Sequence, residues 1–238
     1  TARTLLEAAV KARAAATNSE IKQRYSYQII QLRFYEADYA GVIAEYEKSG
    51  LSRAIPPIQM RAKRVLAGAL ARTGKKEKAA VLLGEILMKS SDLVDSVHSD
   101  FHYIMPLNRA KVQAEAKDPA ARAGVQMLFG WDNPSYSLEY LKSASRDGFG
   151  SALILRMFLR EVALFEENNI SALLGHASEP SGQMRPPQAL SPSEKKHAMA
   201  LADFAASMQK STPPNEQNAW IFYSAYMRYM GGQAGSAL

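Results

Sequence analysis

Hydrophobic and small residues recur at helical spacing along most of the chain. In the first such segment, 3–16, Leu5, Ala9 and Ala12 form one stripe. No segment of useful length alternates with a period of two, so no sheet is predicted, and the fold class is all-α. The predicted helices cover 3–16, 20–36, 39–49, 58–73, 76–90, 92–103, 106–116, 119–130, 134–146, 149–166, 168–177, 194–210 (capped by Ser193) and a last helix opened by Pro213–Pro214.

Residues 178–193 contain four prolines and no helical periodicity, which predicts a long surface loop. The chain is therefore predicted to comprise a helical repeat array over 1–177, this loop, and a truncated C-terminal helical pair over 194–238 that continues the array. The first residue is Thr1 rather than a methionine, which indicates a processed or truncated chain.

Two helical pairs resemble each other, one over about 23–49 and one over about 60–90. Their turns, at 37–39 and 74–76, are 37 residues apart. Looser versions of the same pattern occur in 121–146 and from Ala219 to the end. In the second pair the small and apolar positions are Ala67, Leu70, Gly74, Ala79, Leu83 and Ile86.

This pattern resembles the tetratricopeptide repeat (TPR), and the resemblance implies an α-α superhelix of antiparallel helical pairs with a concave groove. The order of features also resembles that of bacterial envelope proteins with TPR-like arrays, which favours a periplasmic or cell-envelope location over a cytoplasmic one. The first helix of each TPR pair lines the groove. Carried over onto this chain, the groove positions are Arg61, Arg64 and Arg72 in the second pair and Arg24, Tyr27, Gln31, Phe34 and Tyr35 in the first.

Positive charge is concentrated in the first part of the chain. Residues 1–89 hold 16 lysines and arginines against 8 acidic residues, whereas 90–238 hold 13 against 15. The segment 53–78 alone has eight bases and one acid. Such asymmetry indicates an anionic partner, although a solvated helix face would have the same composition. The groove aromatics Tyr27, Phe34 and Tyr35 are likewise open to a second interpretation, as core between the pairs.

The sequence contains no recognisable catalytic motif. The absence of cysteine excludes disulfides, thiolate metal sites and cysteine nucleophiles. His98 and His102 are four residues apart but lack a third ligand and an intervening glutamate, so we expect no metal site. Glu166–Glu167 stands at a predicted helix end, where solvation or capping is the expected role. We therefore predict a non-enzymatic protein without a cofactor.

Three functions are compatible with these features. The leading one is a protein-interaction scaffold that binds an extended acidic peptide through Arg24, Tyr27, Gln31, Arg61, Arg64 and Arg72. The second is binding of nucleic acid or another anionic polymer through the basic 53–78 segment. The third is a structural arm of a longer protein. No apolar run approaches the roughly 18 residues of a membrane span, so no transmembrane segment is predicted.

Overall fold

The computed structural model describes residues 2–133, 135, 137–146, 151–174 and 189–233, with side chains given for 152–169 of the longest helix. Over these residues the protein is helical throughout and contains no β-strand, which confirms the predicted all-α class. It comprises two compact units, unit 1 (Thr1–Asp132) and unit 2 (Asn133–Leu238). The helices of unit 1 are α1 Ala2–Ala15, α2 Ser19–Tyr35, α3 Tyr39–Lys48, α4 Pro56–Arg72, α5 Lys76–Lys89, α6 Val94–Ile104, α7 Arg109–Glu115 and α8 Pro119–Trp131, and those of unit 2 are α9 Leu138–Arg146, α10 Ser151–Leu174, α11 Pro192–Ser211 and α12 Gln217–Met230.

Helices α2, α3 and α4 of unit 1 share one core. Helix α2 packs against α1, α3 and α4, and α3 also packs against α4. Burial follows the sequence pattern, because Val42 and Tyr46 are one turn apart on α3 and lie in this core with Ile30 of α2 and with Ala62 and Ala69 of α4. Helix α4 then pairs with α5 and also contacts α6. Short 3₁₀ turns, Leu51–Arg53 and Ser91–Leu93, connect the pairs.

The turns that close the first two helical pairs have the same backbone geometry. Ala37 and Gly74 both lie in the left-handed region, at φ +57° and φ +81°. In each turn the next residue donates its N–H to the carbonyl five residues earlier, from Asp38 to Arg33 at 2.9 Å and from Lys75 to Leu70 at 2.8 Å. This is the Schellman arrangement, which satisfies carbonyls at the end of a helix. The predicted 37-residue spacing therefore joins two equivalent turns.

Ala37→Gly is expected to stabilise unit 1 by up to about 1 kcal/mol. A Cβ in the left-handed region costs roughly 1–2 kcal/mol, and the extra freedom of glycine in the unfolded chain offsets part of the gain. Urea unfolding followed by circular dichroism measures the difference. The matched control is Ala8→Gly, at an exposed position inside α1, where the same change should destabilise by about 1 kcal/mol. Equal effects at the two sites would contradict the interpretation.

Helices α5 and α8 of unit 1 cross at two glycines. A Cβ placed on Gly124 would lie 2.1 Å from the carbonyl oxygen of Gly84, and one placed on Gly84 would lie 2.7 Å from the backbone of Ala121. Beside this crossing, Phe101 of α6 packs edge-on against Phe129, with ring centroids 5.2 Å apart. The core beneath α6 is therefore held by direct backbone contact between α5 and α8.

In unit 2, helices α11 and α12 pack closely against each other and α10 contacts α9 and α11. Trp220 is fully buried and lies against Phe158, at a centroid distance of 5.3 Å, and Phe204. The fully buried carboxylate of Glu161 accepts a hydrogen bond from the Ser137 backbone N–H at 2.6 Å and one from its neighbour Arg160 at 2.8 Å. Unit 2 thus contains both an aromatic core and a buried ion pair.

The predicted helices of unit 1 agree with the observed ones to within three residues at each end. In unit 2, the prediction of two helices over 149–166 and 168–177 is wrong. The structure has the single helix α10, and 175–177 lie outside the described residues. The predicted break falls in the polar run 166–169. Instead, Asn169 is buried and its side-chain amide donates to the Phe165 carbonyl at 2.8 Å, one turn earlier. The helix continues because this amide is satisfied within it.

Two predicted helix starts are also corrected. Helix α9 begins at Leu138 rather than at 134, because the Ser137 N–H is bound by Glu161. Helix α11 begins at Pro192 and is capped by Ser191 rather than Ser193, since Ser191 and Glu194 form a reciprocal capping box. Most of the predicted 178–193 loop lies outside the described residues, so the predicted domain boundaries at 177 and 193 stay predictions.

Candidate functional site

A groove of about 480 Å³ opens on unit 1 between α2, α4 and α6. Its volume lies within the range of roughly 300–1,000 Å³ typical of ligand sites. Its lining combines aromatic and aliphatic side chains with three arginines, one amide and one carboxylate. The lining residues are Tyr27, Gln31, Phe34, Tyr35, Arg61, Arg64, Val65, Ala67, Gly68, Ala71, Arg72, Leu83, Leu93, Asp100, Tyr103 and Ile104.

Helix α4 presents all three groove arginines. Arg61 and Arg64 are three residues apart and share a face, and Arg72 follows Arg64 after eight residues. At 1.5 Å per residue, about 12 Å of helix axis separates Arg64 from Arg72. Between them is Gly68, where a Cβ would lie 2.9 Å from the ring of Phe34. The missing side chain at Gly68 therefore lets α2 approach the middle of the arginine row.

Arg64 is held by a carboxylate inside the groove. Its Nε donates to Oδ2 of Asp100 at 2.5 Å and its Nη2 donates to Oδ1 at 3.1 Å. This is the forked, two-bond geometry in which a guanidinium binds a carboxylate most specifically. The hydrogen bonds that Arg64 donates to Asp100 raise the pKa of Arg64, which is a cation at any physiological pH. Both side chains are 36% exposed, so the pair is accessible from solvent.

Arg61 is held more loosely than Arg64. Its Nη2 lies 3.5 Å from Oδ2 of Asp92, and both side chains are more than half exposed. An exposed pair at this distance contributes little to stability. Nearby, burial raises the pKa of Tyr27, and the charges of Arg61 and Arg64 reduce that rise. The Tyr27 hydroxyl is therefore protonated at neutral pH and can donate a hydrogen bond beside the two arginines.

Arg72 lies at the other end of the row. Its guanidinium carbon is 4.9 Å from the centroid of the Tyr103 ring, in a cation–π contact. Within the described part of the chain, no carboxylate forms an ion pair with Arg72. The stacked ring holds the guanidinium in place and leaves its N–H groups available to a ligand.

The groove brings together most of the residues predicted from the sequence. Tyr27 and Gln31 from α2 and the three arginines from α4 all line it, as do Phe34 and Tyr35. Arg24 does not line it. Its side chain is 66% exposed and bonds to Glu20 one turn earlier at 2.6 Å, because Arg24 is at the start of α2, beyond the end of the arginine row.

Sequence reasoning missed the wall that α6 contributes, with Asp100 and Tyr103. The predicted helix over 92–103 drew attention to His98 and His102 instead. In the structure His98 stacks on Trp131, at a centroid distance of 4.6 Å, and His102 bonds to Asp132 at 2.5 Å. The described residues contain no cluster of three or more potential metal ligands. Asp100 and Tyr103 are three residues apart, a spacing that places them on one face of the predicted helix but does not show which neighbouring helix this face meets.

The other bases of the 53–78 segment are distributed over separate surfaces. Lys63 is mostly buried and pairs with Glu85 of α5, whereas Lys75, Lys76 and Lys78 lie at the turn between α4 and α5 and at the start of α5. Unit 1 as a whole holds 20 lysines and arginines against 14 acidic residues, and unit 2 holds nine of each. The net charge of +6 therefore belongs to unit 1.

A comparison of the chain with protein-family models, curated proteins and solved structures gave no match in any of the three. None of the described helices is both long enough and apolar enough to span a membrane.

Proposed function

We propose that unit 1 is a TPR-like module, a short α-α superhelix, that binds an extended acidic segment of a protein partner in the groove. The observation that supports this most directly is the convergence of Tyr27, Gln31, Arg61, Arg64 and Arg72 in one groove of about 480 Å³. These residues come from two helices of successive pairs with equivalent turns. Guanidinium groups bind carboxylates, and the aromatic walls pack against neighbouring side chains.

The dimensions of the row favour an extended peptide. An extended chain advances about 3.3 Å per residue, and its side chains alternate between two faces. Two acidic side chains four residues apart therefore lie on one face, about 13 Å from each other. This matches the axial separation of about 12 Å between Arg64 and Arg72. We propose Arg72, stacked on Tyr103, as one anchor and the Arg61–Arg64 end as the other.

Selection of a random nine-residue peptide library on the immobilised full chain tests the proposal. We expect aspartate and glutamate to be enriched. The double variant Arg61→Glu with Arg72→Glu should weaken binding of the selected peptides about 100-fold, because both cationic anchors become repulsive. The matched control is Lys75→Glu with Lys76→Glu, which changes the net charge equally at the turn outside the groove. Equal losses in the two double variants would contradict a role for the groove.

The same variants address nucleic acid as the partner. The spread of the 53–78 bases over several surfaces favours a peptide over a polyanion that tracks a continuous basic strip. We expect duplex DNA and single-stranded RNA to bind weakly at about 150 mM salt. Salt-dependent binding that falls equally in both double variants would instead indicate a sequence-independent electrostatic interaction.

A further inference from the structure

The segment that follows α5 contacts every arginine of the groove. Asp92, in the 3₁₀ turn Ser91–Leu93, lies 3.5 Å from Arg61. Asp100 holds Arg64 through two hydrogen bonds, and Tyr103 stacks under Arg72. Thus two carboxylates and one aromatic ring, all from 92–103, meet the three guanidinium groups that the proposed function assigns to a partner.

We infer that Asp100, assisted by Asp92, is an internal competitor that occupies the arginines in place of the partner's carboxylates and sets the affinity of the groove for acidic ligands. This inference rests on the proposed function. The Arg64–Asp100 geometry is the geometry that a bound carboxylate would adopt on the same guanidinium. The Nε and Nη2 atoms of Arg64 can bind one carboxylate in this two-bond geometry at a time. A partner's carboxylate therefore binds there only when Asp100 moves away.

The exchange requires no unfolding. Asp100 is in the interior of α6, whose buried residues Val97, Phe101 and Ile104 fix the helix in the core. The carboxylate itself is 36% exposed and can turn to solvent by a change of side-chain rotamer. Because a partly exposed ion pair is weak, the competitor reduces affinity without closing the groove. Arg72 has no carboxylate competitor within the described residues, and it therefore provides the first point of contact.

Asp100→Asn tests the inference because it removes the competing charge and keeps the shape of the side chain. The probe is a fluorescent, end-capped nine-residue peptide with two glutamates separated by three uncharged residues, titrated by fluorescence anisotropy. We expect Asp100→Asn to tighten binding about five- to tenfold relative to the unmodified chain. Asp92→Asn should tighten it about two- to threefold, because its ion pair is longer and more exposed.

Asp95→Asn is the matched control, since it makes the same change in net charge on α6 at a residue that does not line the groove. If Asp100→Asn gives the same affinity as Asp95→Asn, or a weaker one, while the unmodified chain binds the probe, the competitor is refuted and the proposed function stands. If neither the unmodified chain nor Asp100→Asn binds, both are refuted. Circular dichroism establishes whether each variant is folded. If Asp100→Asn is not folded, the affinity of Asp92→Asn for the probe, compared with that of Asp95→Asn, tests the inference instead.

Discussion

Gly124→Ala is expected to lower the free energy of unfolding of unit 1 by about 3 kcal/mol. The new methyl group would lie 2.1 Å from the Gly84 carbonyl oxygen and 2.9 Å from the Gly84 Cα, and both are backbone atoms that cannot turn aside. Helices α5 and α8 would have to separate, which opens the core that holds α6. The higher helix propensity of alanine, about 1 kcal/mol, offsets only part of this loss.

Tryptophan fluorescence can follow the two units separately during urea unfolding, because Trp131 lies in unit 1 and Trp220 in unit 2. The control is Arg122→Ala, at an exposed position on α8, with an expected change within about 0.5 kcal/mol. A Gly124→Ala protein as stable as this control would show that α5 and α8 do not depend on close contact at the two glycines. The groove should also lose peptide affinity in Gly124→Ala, since α6 forms one of its walls.

Glu161→Ala is expected to destabilise unit 2 by about 3 kcal/mol near pH 5. The change removes a carboxylate with no solvent exposure and leaves the Arg160 guanidinium and the Ser137 N–H without that acceptor. Leaving a buried hydrogen-bond donor without its partner costs about 1–3 kcal/mol, and more when the group left behind is charged. Glu139→Ala is the matched control, because Glu139 is also paired, with Lys142 at 2.8 Å, but is 82% exposed. Its loss should cost less than about 1 kcal/mol.

The pH dependence of the Glu161→Ala effect has a definite sign. Burial raises the pKa of Glu161, and the hydrogen bond from Ser137 and the charge of Arg160 oppose that rise without cancelling it. The folded state therefore binds this proton more tightly than the unfolded state, so the contribution of Glu161 is largest below its unfolded pKa, about 4.5. As the pH rises from 4.5 through the folded pKa, the difference between the unmodified protein and Glu161→Ala should shrink. A difference that grows with pH would contradict this assignment.

Local sequence features were sufficient to predict most helices of unit 1. Asp118 and Pro119 start α8 as expected, and Gly74 ends the α4 helix in the left-handed region. The small residues chosen from the repeat pattern, Ala67 and Ala79, are buried. These features depend on caps, prolines and helical spacing, which act within a few residues. The groove arginines Arg61, Arg64 and Arg72 were instead selected through the resemblance to the TPR pattern, and all three line the groove.

The remaining features depend on contacts between distant residues. The start of α9 is determined by Glu161, which is 24 residues beyond Ser137. The stripe predicted for α1 is only partly correct, because Ala9 is buried but Leu5 is 61% exposed. The Arg64–Asp100 pair joins residues 36 positions apart, and its formation depends on the rotation of α6 about its axis. Periodicity within one helix does not contain this information.

The concentration of the net charge in unit 1 would also affect how fast the acidic partner proposed above arrives. Electrostatic attraction extends over about 8 Å at physiological salt and about 30 Å at 0.01 M. The surplus of +6 on unit 1 therefore accelerates diffusional encounter at low ionic strength, before any groove residue is touched. In the inferred exchange, Asp100 would act only after that encounter, at contact range. Salt consequently governs mainly the association rate of the proposed complex, whereas the Arg64–Asp100 pair governs how long the complex lasts.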